Sequence, residues 1–112
     1  MKYAVPVSGG GMCSHFGHCE YFAMIDVDET KKEITKKELV PSPEHQPGLL
    51  PPWLAHQGVN CVIAGGMGMN AQNLLKNHGV DVIVGALESD PEKAVLSHLN
   101  GKLATGGNTC DH

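Results

Sequence analysis

The second half of the chain alternates short apolar segments with segments of helical character, and this alternation restricts the fold more than any other feature. Residues 59–64 and 80–84 are apolar runs that predict buried strands, and each is followed by a predicted helix. Asn70 is the predicted N-cap of a helix that continues to residue 78. Asp90 and Pro91 predict a second helix start, and that helix ends near Gly101.

The first half adds strands at residues 2–7, 21–27 and 33–40 and a short helix at residues 49–57. The predicted order is β-β-β-α-β-α-β-α, an α/β fold with a mixed sheet and helices packed on it. The length of 112 residues fits one domain, which we assign to residues 1–103. Residues 104–112 are predicted to form a flexible tail.

Composition excludes several classes of function. The net charge is −4, and the lysines form no run longer than two, so nucleic-acid binding is not expected. We find neither an apolar stretch of membrane-spanning length nor a leader, and therefore expect a cytoplasmic protein that does not bind membranes. In that compartment four cysteines and seven histidines indicate metal or redox chemistry rather than disulfides.

The segment after the first strand is crowded with soft ligands. Two thiols, two imidazoles and a thioether lie within it: Met12, Cys13, His15, His18 and Cys19. Such donors suit Cu(I), zinc and iron–sulfur species, although the two cysteines are too far apart for a zinc-ribbon pair. The alternative is an ordinary loop with one buried cysteine and solvated histidines.

Two further places could supply ligands. Cys110 and His112 stand at the end of the chain behind two glycines, so they could fold over a bound metal, or they could be a frayed tail. His45 stands between prolines, where it could be a remote ligand or a surface residue.

Glycine-rich turns provide the predicted anion site. Glycines let backbone N–H groups point into a loop, and a helix N-terminus adds about half a positive charge. The residues that we assign to cofactor binding on this ground are Gly9, Gly10, Gly11, Gly65, Gly66, Met67, Gly68, Met69 and Asn70. Met67 and Met69 could supply thioether contacts or could fill the core.

Catalytic interpretations have little support. Asp26 and Asp28 share a face of a strand and could hold a divalent cation, as in a metal-dependent hydrolase, but aspartate is also ordinary before a turn. No nucleophile-elbow sequence is present. Cys61 lies in an apolar run and is predicted to be a buried, inert thiol. We therefore predict a protein that is not an enzyme.

A series of short motifs, taken in order, resembles a known family. The motifs are Ser8-Gly9-Gly10-Gly11, His15-Phe16-Gly17, Tyr21-Phe22, His45-x-Pro47-Gly48, Leu50-Pro51-x-Trp53-Leu54, Gln57-Gly58-Val59, Ile63-Ala64-Gly65-Gly66-Met67-Gly68 and Cys110-Asp111-His112. They resemble the nitrogenase iron–molybdenum-cofactor biosynthesis accessory family, the NifX/NafY type of domain that also forms the C-terminal part of NifB. The cysteines and the tail look like those of a stand-alone small-protein subgroup.

The resemblance implies a ribonuclease-H-like fold without nuclease activity. It also implies that His15, Phe16, Gly17 and the turn at residues 65–68 contact a metal–sulfur cofactor. Similar stand-alone proteins carry a molybdenum–copper sulfide cluster, and other members carry iron–sulfur or iron–molybdenum–sulfur species.

The resulting hypothesis is binding, storage or delivery of an anionic metal–sulfur cluster. The partners would be proteins that donate and accept the cluster, and the chain would be a monomer or weak dimer. The leading alternative is a zinc- or copper-binding regulatory or structural module that uses Cys13, Cys19, Cys110 and His112.

Overall fold

The computed structural model describes residues 1–9, 11–12, 19–43 and 49–103. In chain order the elements are β1 (Lys2–Ser8), β2 (Gly11–Met12), β3 (Tyr21–Asp28), β4 (Glu33–Pro41), α1 (Leu50–His56), β5 (Cys61–Ile63), α2 (Met69–Asn77), β6 (Asp81–Ile83) and α3 (Pro91–Leu99). The fold is mixed α/β, as predicted. No helix in the described ranges is long and apolar enough to cross a membrane.

The sheet has six strands in the order β4-β3-β1-β5-β6, with β2 paired to β1 beside this path. The three strands β1, β5 and β6 run parallel to one another. Strand β3 runs antiparallel to β1, and β4 runs antiparallel to β3. The short strand β2 was not predicted. The sequence indicated a loop from Met12 onward, but Gly11 and Met12 pair back onto Ser8 and Val7.

Alternating side chains of each strand enter two separate cores. Ala4, Phe22 and Val62 face α1 and α2 in one hydrophobic cluster. Tyr3, Val5 and Cys61 face α3 in the other. The period of two follows from the pleat of a strand. The sheet is therefore covered by helices on both faces, which explains why its central strands are almost wholly apolar.

The helix boundaries follow local chemistry. Asp90 caps α3 by accepting hydrogen bonds from the Glu92 and Lys93 N–H groups at 2.9 and 3.2 Å, as predicted. Gly79 ends α2 with a φ of 79°, a conformation that glycine adopts without strain. The predicted N-cap of α2 was wrong: the helix begins at Met69, and Gly68 is its N-cap residue.

The strand directions bring several loops to one end of the molecule. We call this the carboxyl end of the sheet and define it by Ser8, Ile63 and Ile83, the last residues of β1, β5 and β6. Because β3 is antiparallel to β1 and Tyr21 pairs with Val7, β3 begins at this end. Tyr21 also pairs with Pro41, so β4 finishes there.

Candidate functional site

The base of the Cys/His-rich loop is fastened by Glu20. Its N–H group is shared between the Val7 carbonyl at 3.2 Å and Ser8 Oγ at 2.9 Å. Its carboxylate Oε1 accepts from the Gly9 N–H at 3.2 Å, and its carbonyl accepts from the Ser42 N–H at 3.0 Å. One residue thus ties together the end of β1, the return of the loop and the start of the proline-rich connector.

The other side of the loop is fastened to the segment that connects β6 to α3. The Met12 N–H donates to the Ser89 carbonyl at 2.7 Å. A Cβ added to Gly11 would lie 3.4 Å from the same carbonyl oxygen, at the near limit of ordinary van der Waals contact, so the backbone at Gly11 packs closely against Ser89.

The glycine turn after β5 is held through its carbonyl groups. The Ala64 and Gly65 carbonyls accept from the Ala86 and Gly85 N–H groups, both at 3.2 Å. Gln72 then holds the far side of the turn. Its side-chain Nε2 donates to the Met67 carbonyl at 3.0 Å, and its backbone N–H donates to the Gly68 carbonyl at 3.1 Å.

This arrangement decides which polar groups the turn can offer to a ligand. Of the five carbonyls from Ala64 to Gly68, all but that of Gly66 accept a hydrogen bond from donors of the protein itself. The N–H groups of the first turn of α2 have no acceptor within the helix, and no side chain of the described residues caps them. The turn therefore presents hydrogen-bond donors rather than acceptors.

Cys19 and the glycine turn share one hydrophobic cluster. Cys19, the first described residue after the loop, packs against the cluster that contains Met67 of the turn. Cys19 and Met67 therefore lie on the same face of the sheet, the face that α1 and α2 cover. Met67 is buried in the core, while Met69 is about half exposed at the first position of α2.

Comparison with known proteins gives the family. The family model described as "Dinitrogenase iron-molybdenum cofactor" matches residues 1–101. The chain belongs to this family. The family resemblance inferred from the sequence motifs is thereby confirmed.

A sequence relative and two solved structures are similar to this chain over almost its whole length. The uncharacterized protein MJ0580 of Methanocaldococcus jannaschii is 32% identical over 108 residues, which cover 92% of this chain and 89% of that protein. The crystal structure of PH0822 has a TM-score of 0.85 at 24% identity and covers 94% of each chain. The apo form of the orange protein from Desulfovibrio gigas has a TM-score of 0.73 at 24% identity, covering 96% of this chain and 93% of that one.

Several predicted site residues of this family member lie outside the described ranges. They are Gly10, Cys13, His15, Phe16, Gly17, His18, His45, Cys110 and His112, and the predicted tail at 104–112 lies there too. Among the described residues, no group of three or more His, Cys, Asp and Glu side chains could hold a metal ion.

Three titratable groups of the described residues, Cys61, Tyr3 and Asp28, are buried or engaged in hydrogen bonds. Cys61 is buried in β5, and burial, with a smaller contribution from Asp81, raises its pKa to about 12, as expected for an inert thiol. Tyr3 donates to or accepts from His98 Nδ1 at 2.8 Å, and burial raises the Tyr3 pKa to about 12. The Asp28 carboxylate accepts from the Thr30 and Lys31 N–H groups, which is its ordinary role before a turn.

Sequence reasoning missed the residues that position this end of the sheet: Glu20, Ser42, Gln72 and Ser89. The sequence does contain a signal for Gln72. It lies in a predicted helix next to the apolar positions Ala71 and Leu75, so its side chain is a candidate to point toward the core. Glu20 and the serines carried none, since their partners are backbone groups whose positions depend on the tertiary fold.

Proposed function

We propose that this protein binds an anionic metal–sulfur cluster at the carboxyl end of the sheet and hands it to another protein without catalysing a reaction. The observation that carries the proposal is the shared packing of Cys19 and Met67 in one cluster. It supports convergence of the sulfur-rich loop and the donor-presenting glycine turn in a member of the iron–molybdenum cofactor family.

The physical basis is complementarity to a soft anion. Sulfide atoms on a cluster accept hydrogen bonds, and donors aimed at an ionised acceptor form stronger bonds than neutral pairs do. The first-turn amides of α2 and the helix dipole supply about half a positive charge there. A chain with net charge −4 needs such local donors to hold an anion.

The metal atoms need thiolate, imidazole or thioether ligands. We propose that such ligands come from the following residues: Cys13, His15, His18, Cys19, His45, Cys110 and His112. Met69 stands beside the first-turn amides with half its surface exposed, which suits a weak thioether contact. Gly9 and Gly11 flank the loop whose Phe16 and Gly17 we also assign to the cluster pocket.

The cargo is proposed to be an iron–sulfur, molybdenum–iron–sulfur or molybdenum–copper–sulfur species. The structure of the neighbour from Desulfovibrio gigas is that of an apo form, which implies that the neighbour also has a form with a bound cofactor. This supports the proposal that the present protein binds one too. We also propose a ribonuclease-H-like topology. Its support is the element order, which is β-β-β-α-β-α-β-α once the two-residue strand β2 is set aside.

The first experiment is anaerobic purification followed by metal analysis, acid-labile sulfide assay and a visible spectrum. The proposal predicts charge-transfer bands together with iron, or with molybdenum and copper, and with sulfide. A colourless protein with one zinc or copper ion per chain and no sulfide would instead support the regulatory or structural module.

Single substitutions then test the ligands. Cys13→Ser, His15→Ala and Cys19→Ser should each weaken cluster retention at least about tenfold while the circular dichroism spectrum stays unchanged. Cys61→Ala is the matched control, because this thiol is buried in β5 and its pKa of about 12 keeps it protonated. Unchanged retention in all three loop variants would contradict the ligand assignment.

A further inference from the structure

A groove lies on the other face of the sheet, beside the candidate site. It has a volume of about 290 Å³ and runs between the ends of β3 and β4 and the first turn of α3. Its apolar lining includes Tyr21, Leu39 and Pro91, and the exposed fractions of Tyr21 and Leu39 are 44% and 56%. Small-molecule sites span roughly 300–1,000 Å³, so this groove lies at the lower limit of that range and has room for one or two side chains of a partner.

The charged lining of the groove is mostly acidic. Its lining contains three acidic residues, Glu20, Asp90 and Glu92, and one basic residue, Lys37. Lys37 Nζ pairs with Glu92 Oε1 at 3.1 Å, both side chains being substantially exposed. A carboxylate has about four acceptor positions, so each of the three can accept a further hydrogen bond. The groove is therefore complementary to a cation on an apolar stem.

A second copy of this chain is a less suitable occupant. Strand pairing along β4 would be the direct route to a dimer, since β4 is the outermost strand beyond β3. A register irregularity between Asp26 and Val27, two adjacent lysines and Pro41 all oppose the addition of a strand. Insertion of a side chain into the groove meets none of these obstacles.

We propose that this groove docks an arginine-bearing segment of the protein that exchanges the cluster, an inference that rests on the proposed function. An acceptor for an anionic cluster needs positive charge near its own entry, and that charge would be steered toward an acidic groove. Arginine pairs with carboxylates through two parallel hydrogen bonds and is enriched at the centres of protein interfaces. Ser8 and Gly9 line the groove at the carboxyl end of the sheet, so docking here would bring the partner next to the cluster.

The test uses the metal-free protein and a capped pentapeptide of sequence glycine-arginine-leucine-arginine-glycine. Backbone amide shifts should change at Gly9, Glu20, Leu39 and Glu92, and binding should weaken with added salt. Leu39→Ala should weaken binding at least about fourfold, the effect of one buried methylene. Glu92→Gln should weaken it about two- to fivefold, as for an exposed ion pair.

Two variants are matched controls. Leu87→Ala removes a leucine that is also more than half exposed and does not line the groove. Glu38→Gln removes a carboxylate of β4; Glu38 pairs with Met24 and so lies on the α1 and α2 face. Both should bind the peptide as the unchanged chain does. A control peptide carries glutamate in place of both arginines. The proposal would be overturned if this peptide bound as tightly as the arginine peptide, or if the control variants weakened binding as much as Leu39→Ala and Glu92→Gln do.

Other occupants give distinguishable results. Binding of arginine amide as tightly as the peptide would make the groove a small-molecule site, and dimerisation abolished by Leu39→Ala would make it a contact between copies; either would overturn the proposal. Cluster retention is measured separately in Leu39→Ala and should be unchanged. If the unsubstituted chain retains the cluster but does not bind the peptide, the docking groove alone is refuted. If it binds the peptide but no cluster, the proposed function is refuted.

Discussion

Replacing Gln72 with leucine removes the side chain that holds the glycine turn. Gln72 is 8% exposed, and its Nε2 donates to the Met67 carbonyl at 3.0 Å. Leucine has a similar volume but no donor, so the carbonyl of a buried residue loses its partner. Leaving a buried acceptor unsatisfied costs about 1–3 kcal/mol. The apolar burial of leucine offsets part of this cost.

The loss should be visible as a lower melting temperature. An unfolding entropy of about 2.1 cal/mol/K per residue over 112 residues gives about 0.24 kcal/mol/K, so each kcal/mol lowers Tm by about 4 °C. We expect a net loss of about 1 kcal/mol, so Gln72→Leu should melt about 4 °C below the unchanged chain when unfolding is followed by circular dichroism. Amide hydrogen exchange should also accelerate at Gly66 and Gly68. Asn73→Leu, at an exposed position of the same helix, should stay within about 2 °C, since surface changes are worth about 0.5 kcal/mol or less.

Gln72→Glu adds a pH dependence with a definite sign. A protonated carboxyl can still donate to the Met67 carbonyl, whereas a carboxylate cannot, and burial raises the pKa of the introduced group in the folded state. Its stabilising contribution should be present below the ordinary glutamate pKa of about 4.3 and be lost as pH rises through the raised value. If Gln72→Leu melts at the same temperature as the unchanged chain, or if Gln72→Glu shows no such loss, the turn is not held in this way.

Three further predictions concern groups elsewhere in the fold. The Cys61 pKa rises from an ordinary 9.0 to about 12 on folding, so the unfolded chain loses this proton first and the free energy of unfolding should fall above pH 9. In urea titrations above pH 9, the free energy of unfolding of Cys61→Ala should decline less steeply than that of the unchanged chain, by about 1.4 kcal/mol per pH unit. Parallel slopes would contradict the burial of the thiol. Asp90→Ala should lower the free energy of unfolding by about 1 kcal/mol in urea titrations, while Asp90→Asn should retain it; equal losses would exclude the capping role. Glu20→Ala removes the acceptor of the Gly9 N–H, so it should lower the free energy of unfolding by about 0.5–1.5 kcal/mol and speed cluster release. Glu20→Gln keeps an acceptor oxygen and should release the cluster more slowly than Glu20→Ala. Identical release rates from the two variants would show that the charge of Glu20, and not its hydrogen bond, controls release.

The elements of the fold were accessible from sequence because they depend on local patterns. The helix start at Asp90 and Pro91 and the stop at Gly79 rest on chemistry within one turn, and both are confirmed. The strands around Cys61 and Val82 were predicted two to three residues too long, because apolar composition marks burial and does not show where ladder hydrogen bonds end.

The candidate site was less accessible, for a physical reason. The predicted ligands are soft donors that stand out by composition, but their assignment as ligands stays a prediction. The residues that fasten the site act through backbone groups far away in the chain: Glu20 binds Gly9 and Ser42, and Met12 binds Ser89. Such partners are fixed only when the strand order is known. Met67 and Met69 looked equivalent in the sequence, yet one lies in the core and the other is half exposed.

The most direct measurement is a titration of the metal-free protein with tetrathiomolybdate, a diamagnetic sulfide dianion, followed by backbone amide NMR. Our account predicts that the amides of Gly9, Cys19, Gly66 and Gly68 shift together at one saturating stoichiometry, while Thr30, Asn60 and Gly79 at the opposite end of the sheet do not move. Shifts confined to the loop or to the turn alone, or centred on the opposite end, would contradict a single pocket formed by both segments.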